Sequence, residues 1–217
     1  MCSSDLDKHY IADAVINHGL DDPTLFDIEP YTRLFIGLDW ALIRKPFRCS
    51  DSIRNREKGH IAISFGGVDW NNLTTKFSEK ITNDKEIDKI TAIVGDAFPF
   101  EKKLKAVDKV QIVRNLNDFQ MADLFRKVEF AILPSSTICI EALACKCPVF
   151  AGWYTKNQKE IYHSLLKNKR IVGLGFLNDR TIQGLCNISQ IKRENSDIKM
   201  WKIQDISKRY IHVFHGI

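Results

Sequence analysis

Ser135, Ser136 and Thr137 close an apolar run, and Glu141 follows four residues after Thr137. Three hydroxyls at the start of a helix are donors placed where backbone N–H groups are unpaired and the helix dipole is positive. That combination suits an anion such as phosphate. Glu141 lies one turn on, on the same helix face as Thr137. A carboxylate there repels a phosphate beside it but suits the hydroxyls of an attached ribose. Phosphate donors one turn from a ribose acceptor point to a nucleotide. An ordinary helix cap also uses Ser and Thr. A capping box, however, needs Glu three residues after the cap, and position 138 is Ile, so Glu141 is mis-spaced for it.

Two further turns carry polar groups of the right kind. In Ser64-Phe-Gly-Gly-Val-Asp-Trp-Asn-Asn72, Gly66 and Gly67 permit positive φ and close approach of a ligand to the backbone. Asp69 and Asn72 are able either to cap the following helix or to face a ligand. The turn is not the dinucleotide fingerprint, which needs a third glycine, and no Gly-Lys-Ser/Thr follows to make a P-loop. In Gly152-Trp-Tyr-Thr-Lys-Asn-Gln158, Asn157 and Gln158 present two adjacent amides, suited to sugar hydroxyls or acetamido groups, or to a helix start.

For these turns to converge, the strands before them must end together. Apolar, β-branched runs at 61–65, 90–94, 110–113, 130–133, 148–151 and 170–174 predict short buried strands. Leu73, Phe77 and Ile81 repeat at helical spacing between them, as do Leu124 with Val128 and Ile161 with Leu165. Strands alternating with helices predict an α/β fold with a doubly wound parallel sheet covered on both faces. Such a sheet binds phosphate in the crevice at its carboxyl edge.

Residues 58–190 are thus expected to form one α/β domain. Residues 7–57 look like the end of an incomplete N-terminal domain plus a linker, being too few to hold a core alone. There, 12–17 is expected to be a strand, 31–38 irregular or helical, 40–44 another short strand, and 48–58 a polar linker. Residues 191–217 are expected to be a helical tail, with a terminal helix around Trp201. Met1-Cys-Ser-Ser-Asp-Leu6 reads like a translated sequencing adapter and is set aside. On that reading the chain is the tail of a longer protein.

Composition narrows the class. A hydrophobic fraction of 44% and a mean hydropathy of -0.21 fit a soluble chain with a real core. No apolar run has the length of a membrane span, and no secretory signal opens the chain. A cytoplasmic location is expected, with the six cysteines reduced and mostly in the core. The net charge of +5 is dispersed, without a basic aromatic stripe, which speaks against nucleic acid. No His/Asp/Glu metal set is evident, and no cofactor is called for.

The three turns, in order and spacing, resemble the UDP-2,4-diacetamido-2,4,6-trideoxy-β-L-altropyranose hydrolase family of pseudaminic acid biosynthesis. Ser-Phe-Gly-Gly-Val-Asp-x-x-Asn at 64–72, Ser-Ser-Thr-x-x-x-Glu-Ala-Leu at 135–143 and Lys-Asn-Gln at 156–158 carry the likeness. Ala12-Asp-x-x-x-Asn17, Tyr31, Gly37 and Trp40-Ala-Leu-Ile-Arg44-Lys-Pro-Phe47 extend it upstream. The resemblance implies a two-domain GT-B-like fold, related to the enzyme that adds N-acetylglucosamine to lipid I. It implies that Ser135, Ser136 and Thr137 meet the diphosphate of UDP and that Glu141 meets the ribose. Gly67, Asp69 and Asn72 would line the phosphate and sugar side, with Asn157 and Gln158 on the sugar. Asn17, Tyr31 and Arg44 would reach the ligand from the first domain.

The implied reaction is metal-free hydrolysis releasing UDP, by a protein expected to be monomeric. The family's base is tied to a histidine in a Gly-x-Gly-His turn, which this sequence lacks; His9, His18 and His60 do not sit in one. Two alternatives stay open: a GT-B glycosyltransferase using a UDP-sugar donor, and a non-catalytic nucleotide-binding pseudoenzyme.

Overall fold

The structure, a computed structural model, describes residues 8–48, 55–185, 187–195, 197–201 and 206–215. The adapter-like residues 1–6 and most of the expected linker, 49–54, lie outside the described residues.

The N-terminal segment is built from two parallel strand pairs. β1 (His9–Tyr10) lies beside β3 (Asp27–Ile28), and β2 (Ala14–Asn17) beside β4 (Arg33–Ile36). Val15, Leu20 and Phe26 form its small core, against which Ile161 also packs. Two expectations are corrected here. Residues 33–36 form a strand rather than an irregular or helical piece. The stretch 40–44 forms none: a 3-10 turn at Leu38–Trp40 leads into α1 (Lys45–Arg48). Ala41 and Ile43 are buried while Leu42 and Arg44 are exposed, so the alternation is that of a strand, with no strand to pair with among the described residues.

The larger body begins with β5 (Glu57–Ile63) and α2 (Leu73–Ile81), then β6 (Lys89–Ile93) and α3 (Glu101–Lys105). It continues with β7 (Val110–Val113), α4 (Asp118–Lys127), β8 (Val128–Pro134), α5 (Thr137–Ala144), β9 (Val149–Trp153), α6 (Lys156–Lys167) and β10 (Val172–Phe176). All six strands pair in parallel, in the order β7-β6-β5-β8-β9-β10. Neighbouring side chains along each strand face opposite layers. Ala131, Leu133, Val149 and Ala151 enter the core shared with α4, α5 and Phe47 of α1. Phe130, Ile132 and Phe150 enter the one shared with α2. The doubly wound parallel α/β sheet expected from the residues is what the chain adopts.

Beyond the sheet, α7 (Asp179–Gly184) and α8 (Ile188–Glu194) close over the α2 face, with Ile182 and Ile188 in its core. Trp201 is buried in the other core but is not helical, so the terminal helix is not centred on it. That helix is α9 (Ile206–His215), and it crosses back to the N-terminal segment. The Tyr210 hydroxyl donates to Trp40 O at 3.0 Å, Arg33 Nη2 donates to Val213 O at 3.0 Å, and the Arg209 guanidinium lies 5.7 Å from the Trp40 ring centre.

Arg56 ties the start of β5 to two helix ends. Its guanidinium donates to the carbonyls of Phe125, Arg126 and Val128 where α4 ends, and of Cys145 and Lys146 where α5 ends, at 2.7 to 3.2 Å. Helix C-termini carry unpaired carbonyls and partial negative charge, and one cation serves both.

Candidate functional site

Counted in their own sequence, the six strands run 3-2-1-4-5-6, the doubly wound order whose direction reverses between the first strand and the fourth. Those strands are β5 and β8. The turns leaving their carboxyl ends are 64–72 and 135–137, two of the three singled out by residue type. Their adjacency is fixed by pairing: Ile63 lies opposite Ile132, and Ser64 N donates to Ile132 O at 3.2 Å.

The helix start after β8 is unusual. Ser136 is the N-cap of α5, yet its side chain makes no capping hydrogen bond among the described residues. Ser135 is fully buried and its Oγ has no hydrogen-bond partner among the described residues. Thr137 is exposed at the first helical position. A buried hydroxyl without a partner is costly in a free protein and useful to an incoming acceptor. Ser135→Ala is therefore expected to leave the ligand-free protein within about 0.5 kcal/mol of wild type, or more stable, in urea unfolding. A loss beyond about 1.5 kcal/mol would mean that the hydroxyl is bonded in the free protein.

After β5, the Asp69 carboxylate holds the first amides of α2: it accepts from Leu73 N at 2.9 Å and Thr74 N at 2.7 Å. Burial pushes its pKa up, against the pull of these amides. Asn72 adopts a left-handed backbone (φ 53) and makes no capping bond; its Oδ1 is buried and has no partner among the described residues. Gly67 turns its carbonyl toward the next loop, where Gly95 N donates to it at 2.9 Å. Trp70, at the tip of the turn, is exposed.

Glu141 and Arg44 meet. Both Nε (2.8 Å) and Nη2 (2.7 Å) of Arg44 reach Glu141 Oε1, while Nη1 pairs with Asp118 at the start of α4. The Arg44 guanidinium also lies 4.9 Å from the Phe47 ring centre. Burial opposes the Arg44 charge, but Glu141 and Asp118 outweigh it and raise its pKa.

The amides at the start of α6 differ in placement. Gln158 is buried, and its Oε1 accepts from Tyr154 N at 3.1 Å. Asn157 is exposed and accepts from the Thr155 hydroxyl. Asn157 also lines a cavity of about 50 Å³ with Asn17 and His18, which brings the N-terminal segment against α6. Asn17 Oδ1 accepts from Gly19 N at 2.9 Å there. Tyr31 is not brought to that place. Asn17 and Ile36 are register partners at the carboxyl ends of β2 and β4, whereas Tyr31 precedes β4. It sits in the turn closed by the hydrogen bond from Thr32 N to Glu29 O, at the other end of β4.

Three residues that sequence reasoning passed over belong to this edge. The Tyr154 hydroxyl donates to Phe65 O at 2.9 Å, spanning from β9 to the turn after β5. Gly95 supports Gly67, and Asp118 holds Arg44. A glycine directly after a strand was a usable signal for Gly95; the other two act through partners far away in sequence. Of the histidines, His9 sits exposed between Asp27 and Glu29, and His60 is buried between Glu57 and Thr91. His18, beside Asn17, has its pKa lowered, first of all by burial. Cys139 and Cys147 are buried free thiols, and burial pushes Cys147 up to about 12.

No family model matches the chain. Over 169 residues it is 27% identical to the uncharacterized protein MJ1062 of Methanocaldococcus jannaschii, covering 72% of this chain and 34% of that protein. The chain therefore spans about a third of the length of the curated relative it matches. In fold it is similar to AviGT4, a glycosyltransferase involved in avilamycin A biosynthesis, with a TM-score of 0.50 and 13% identity over 98% of this chain and 76% of that one. An O-GlcNAc transferase mutant of Thermobaculum terrenum gives a TM-score of 0.49 at 13% identity, covering 94% and 43% of the two chains. Among the described residues no helix is long and apolar enough to cross a membrane.

Proposed function

We propose that the crevice between β5 and β8 binds the diphosphate of a UDP-linked sugar, and that the full protein hydrolyses a UDP-linked 2,4-diacetamido-2,4,6-trideoxy sugar to release UDP. One observation carries the nucleotide part: at the switch point of the sheet, α5 starts without a side-chain cap and beside a buried, unpartnered Ser135 hydroxyl. In this reading Ser135, Ser136, Thr137 and the first amides of α5 meet the diphosphate, and Glu141 accepts from the ribose. Gly67 and Asn72 face the phosphate and sugar side. Asp69 and Gln158 shape the two turns from within, while Asn17 and Asn157 offer amides to the sugar.

In the hydrolysis, water attacks the anomeric carbon and the bond to the diphosphate oxygen breaks. The water proton passes to a base, and UDP departs as an anion. Donors at the helix start stabilise the charge that develops on the leaving group. Hydrolysis rather than transfer is supported by the resemblance of the three turns, and of the motifs between Ala12 and Phe47, to the UDP-sugar hydrolase family. The likeness to AviGT4 supports the fold alone and leaves a glycosyltransferase as the second reading.

Calorimetry with the 217-residue chain tests the nucleotide part. UDP is expected to bind, and Ser135→Ala to weaken it without destabilising the protein. Glu141→Ala should cost about tenfold in UDP affinity and much less in pyrophosphate affinity, because a charged acceptor of ribose hydroxyls is lost. Arg44 keeps Asp118 in that variant, so the fold has no unpaired buried charge to absorb. A folded sample that binds no UDP would overturn the assignment.

A further inference from the structure

Glu141 is poorly placed to be a carboxylate. Its side chain is 7% exposed, and burial raises its pKa more than Arg44 lowers it. We propose that Arg44 is a positioning residue, whose guanidinium fixes the Glu141 carboxylate in orientation and charge so that its second oxygen accepts from a vicinal diol. The inference rests on the nucleotide reading of the crevice.

The geometry carries it. Both Arg44 contacts converge on Oε1, so the fork fixes one oxygen and leaves Oε2 off it. The guanidinium is itself held on two further sides, by Asp118 and by the face of Phe47. Arg44 and Asp118 are the charged groups that face Glu141, one from the segment before α1 and one from α4, and they act in opposite directions. Asp118 makes Glu141 harder to ionise but anchors the cation that makes it easier. The segment carrying Arg44 is packed, with Ala41, Ile43 and Phe47 buried in the core that α5 shares, so the cation is delivered by a packed backbone and not by a free loop. Arg44 thereby supports the ribose acceptor without itself meeting the ribose.

The test uses Arg44→Met and Arg44→Lys in the 217-residue chain, with UDP and inorganic pyrophosphate as probes from about pH 8 to about pH 5. Each affinity is expressed against that of Glu141→Gln at the same pH, which lacks the titrating carboxyl group, so that titration of the phosphates cancels. Binding that needs a carboxylate is lost as pH falls through its pKa, and removing the cation raises that pKa. Arg44→Met is expected to lose UDP affinity about tenfold, with the loss setting in at higher pH than in wild type, while pyrophosphate binding is unchanged. Adding Glu141→Gln should abolish the pH dependence. Arg44→Lys keeps the charge but not the fork, so it should restore the pH midpoint while remaining weaker for UDP.

Carbon-13 NMR of the Glu141 carboxyl group, without ligand, should show its titration displaced upward in Arg44→Met and near wild type in Arg44→Lys. Equal losses of UDP and pyrophosphate at every pH would put Arg44 on the phosphates and overturn the proposal. So would an unmoved Glu141 titration. Wild type binding no UDP would instead overturn the nucleotide reading, with the carboxyl titration still deciding whether Arg44 controls Glu141. The lysine variant keeps the test decisive should the methionine variant fail to fold.

Discussion

Arg56→Ala is expected to lower the unfolding free energy by about 3 kcal/mol. One guanidinium donates to five backbone carbonyls at the ends of α4 and α5, and alanine leaves all five to find other donors. Hydrogen bonds from a charged donor contribute about 1.5 to 3 kcal/mol each, and five sharing one cation fall well short of five times that. Urea unfolding at neutral pH reads the difference. Arg56→Lys retains the charge at the two helix ends but has too few donors in a fixed fork, so it should recover about half. A loss under about 1 kcal/mol for alanine would mean that water replaces the guanidinium at little cost.

Gly95→Ala is the counterpart for the binding edge, with a loss of UDP affinity of about a hundredfold expected and a fold that survives. A Cβ at Gly95 would lie 2.6 Å from Gly67 O and 2.8 Å from Gly67 Cα, both backbone atoms that cannot swing aside. Gly95 does not use the left-handed region, so alanine meets no conformational penalty there and the effect is steric. The clash would drive the turn after β5 out of the crevice, a displacement of the kind that costs binding steeply when it exceeds an ångström. Overpacking of this sort costs about 1 to 3 kcal/mol of stability, which a thermal melt will register without loss of cooperativity. Undiminished UDP binding by Gly95→Ala would show that the position of Gly67 does not matter to the ligand.

The six strands of the large sheet were legible because a parallel strand covered on both faces must be apolar throughout, and such runs stand out between amphipathic helices. The strand at 33–36 was not legible: Leu34-Phe35-Ile36 is short, and its partner at 14–17 supplies the pairing rather than any local pattern. The opposite error at 40–44 has a physical cause too. Ala41 and Ile43 alternate with exposed residues because the segment lies across helices, and burial alone imposes a period of two on any extended chain. Within the candidate site, Ser135–Thr137 and the glycine turn could be read from residue types, since helix starts and positive φ have chemical signatures. Arg44 with Glu141 could not, because the pair is separated by 97 residues and arises only from how the segment packs. The same holds for Tyr154, whose partner is a backbone carbonyl. Gln158 was read as a sugar ligand by type, but the structure uses its acceptor on Tyr154 N.

The return of α9 to the N-terminal segment ties the end of the described chain to its beginning, through Val213 with Arg33 and Tyr210 with Trp40. Chain ends fray unless something docks them. Here each end is the dock of the other, so loosening α9 is expected to loosen β4 as well, some 170 residues away in sequence.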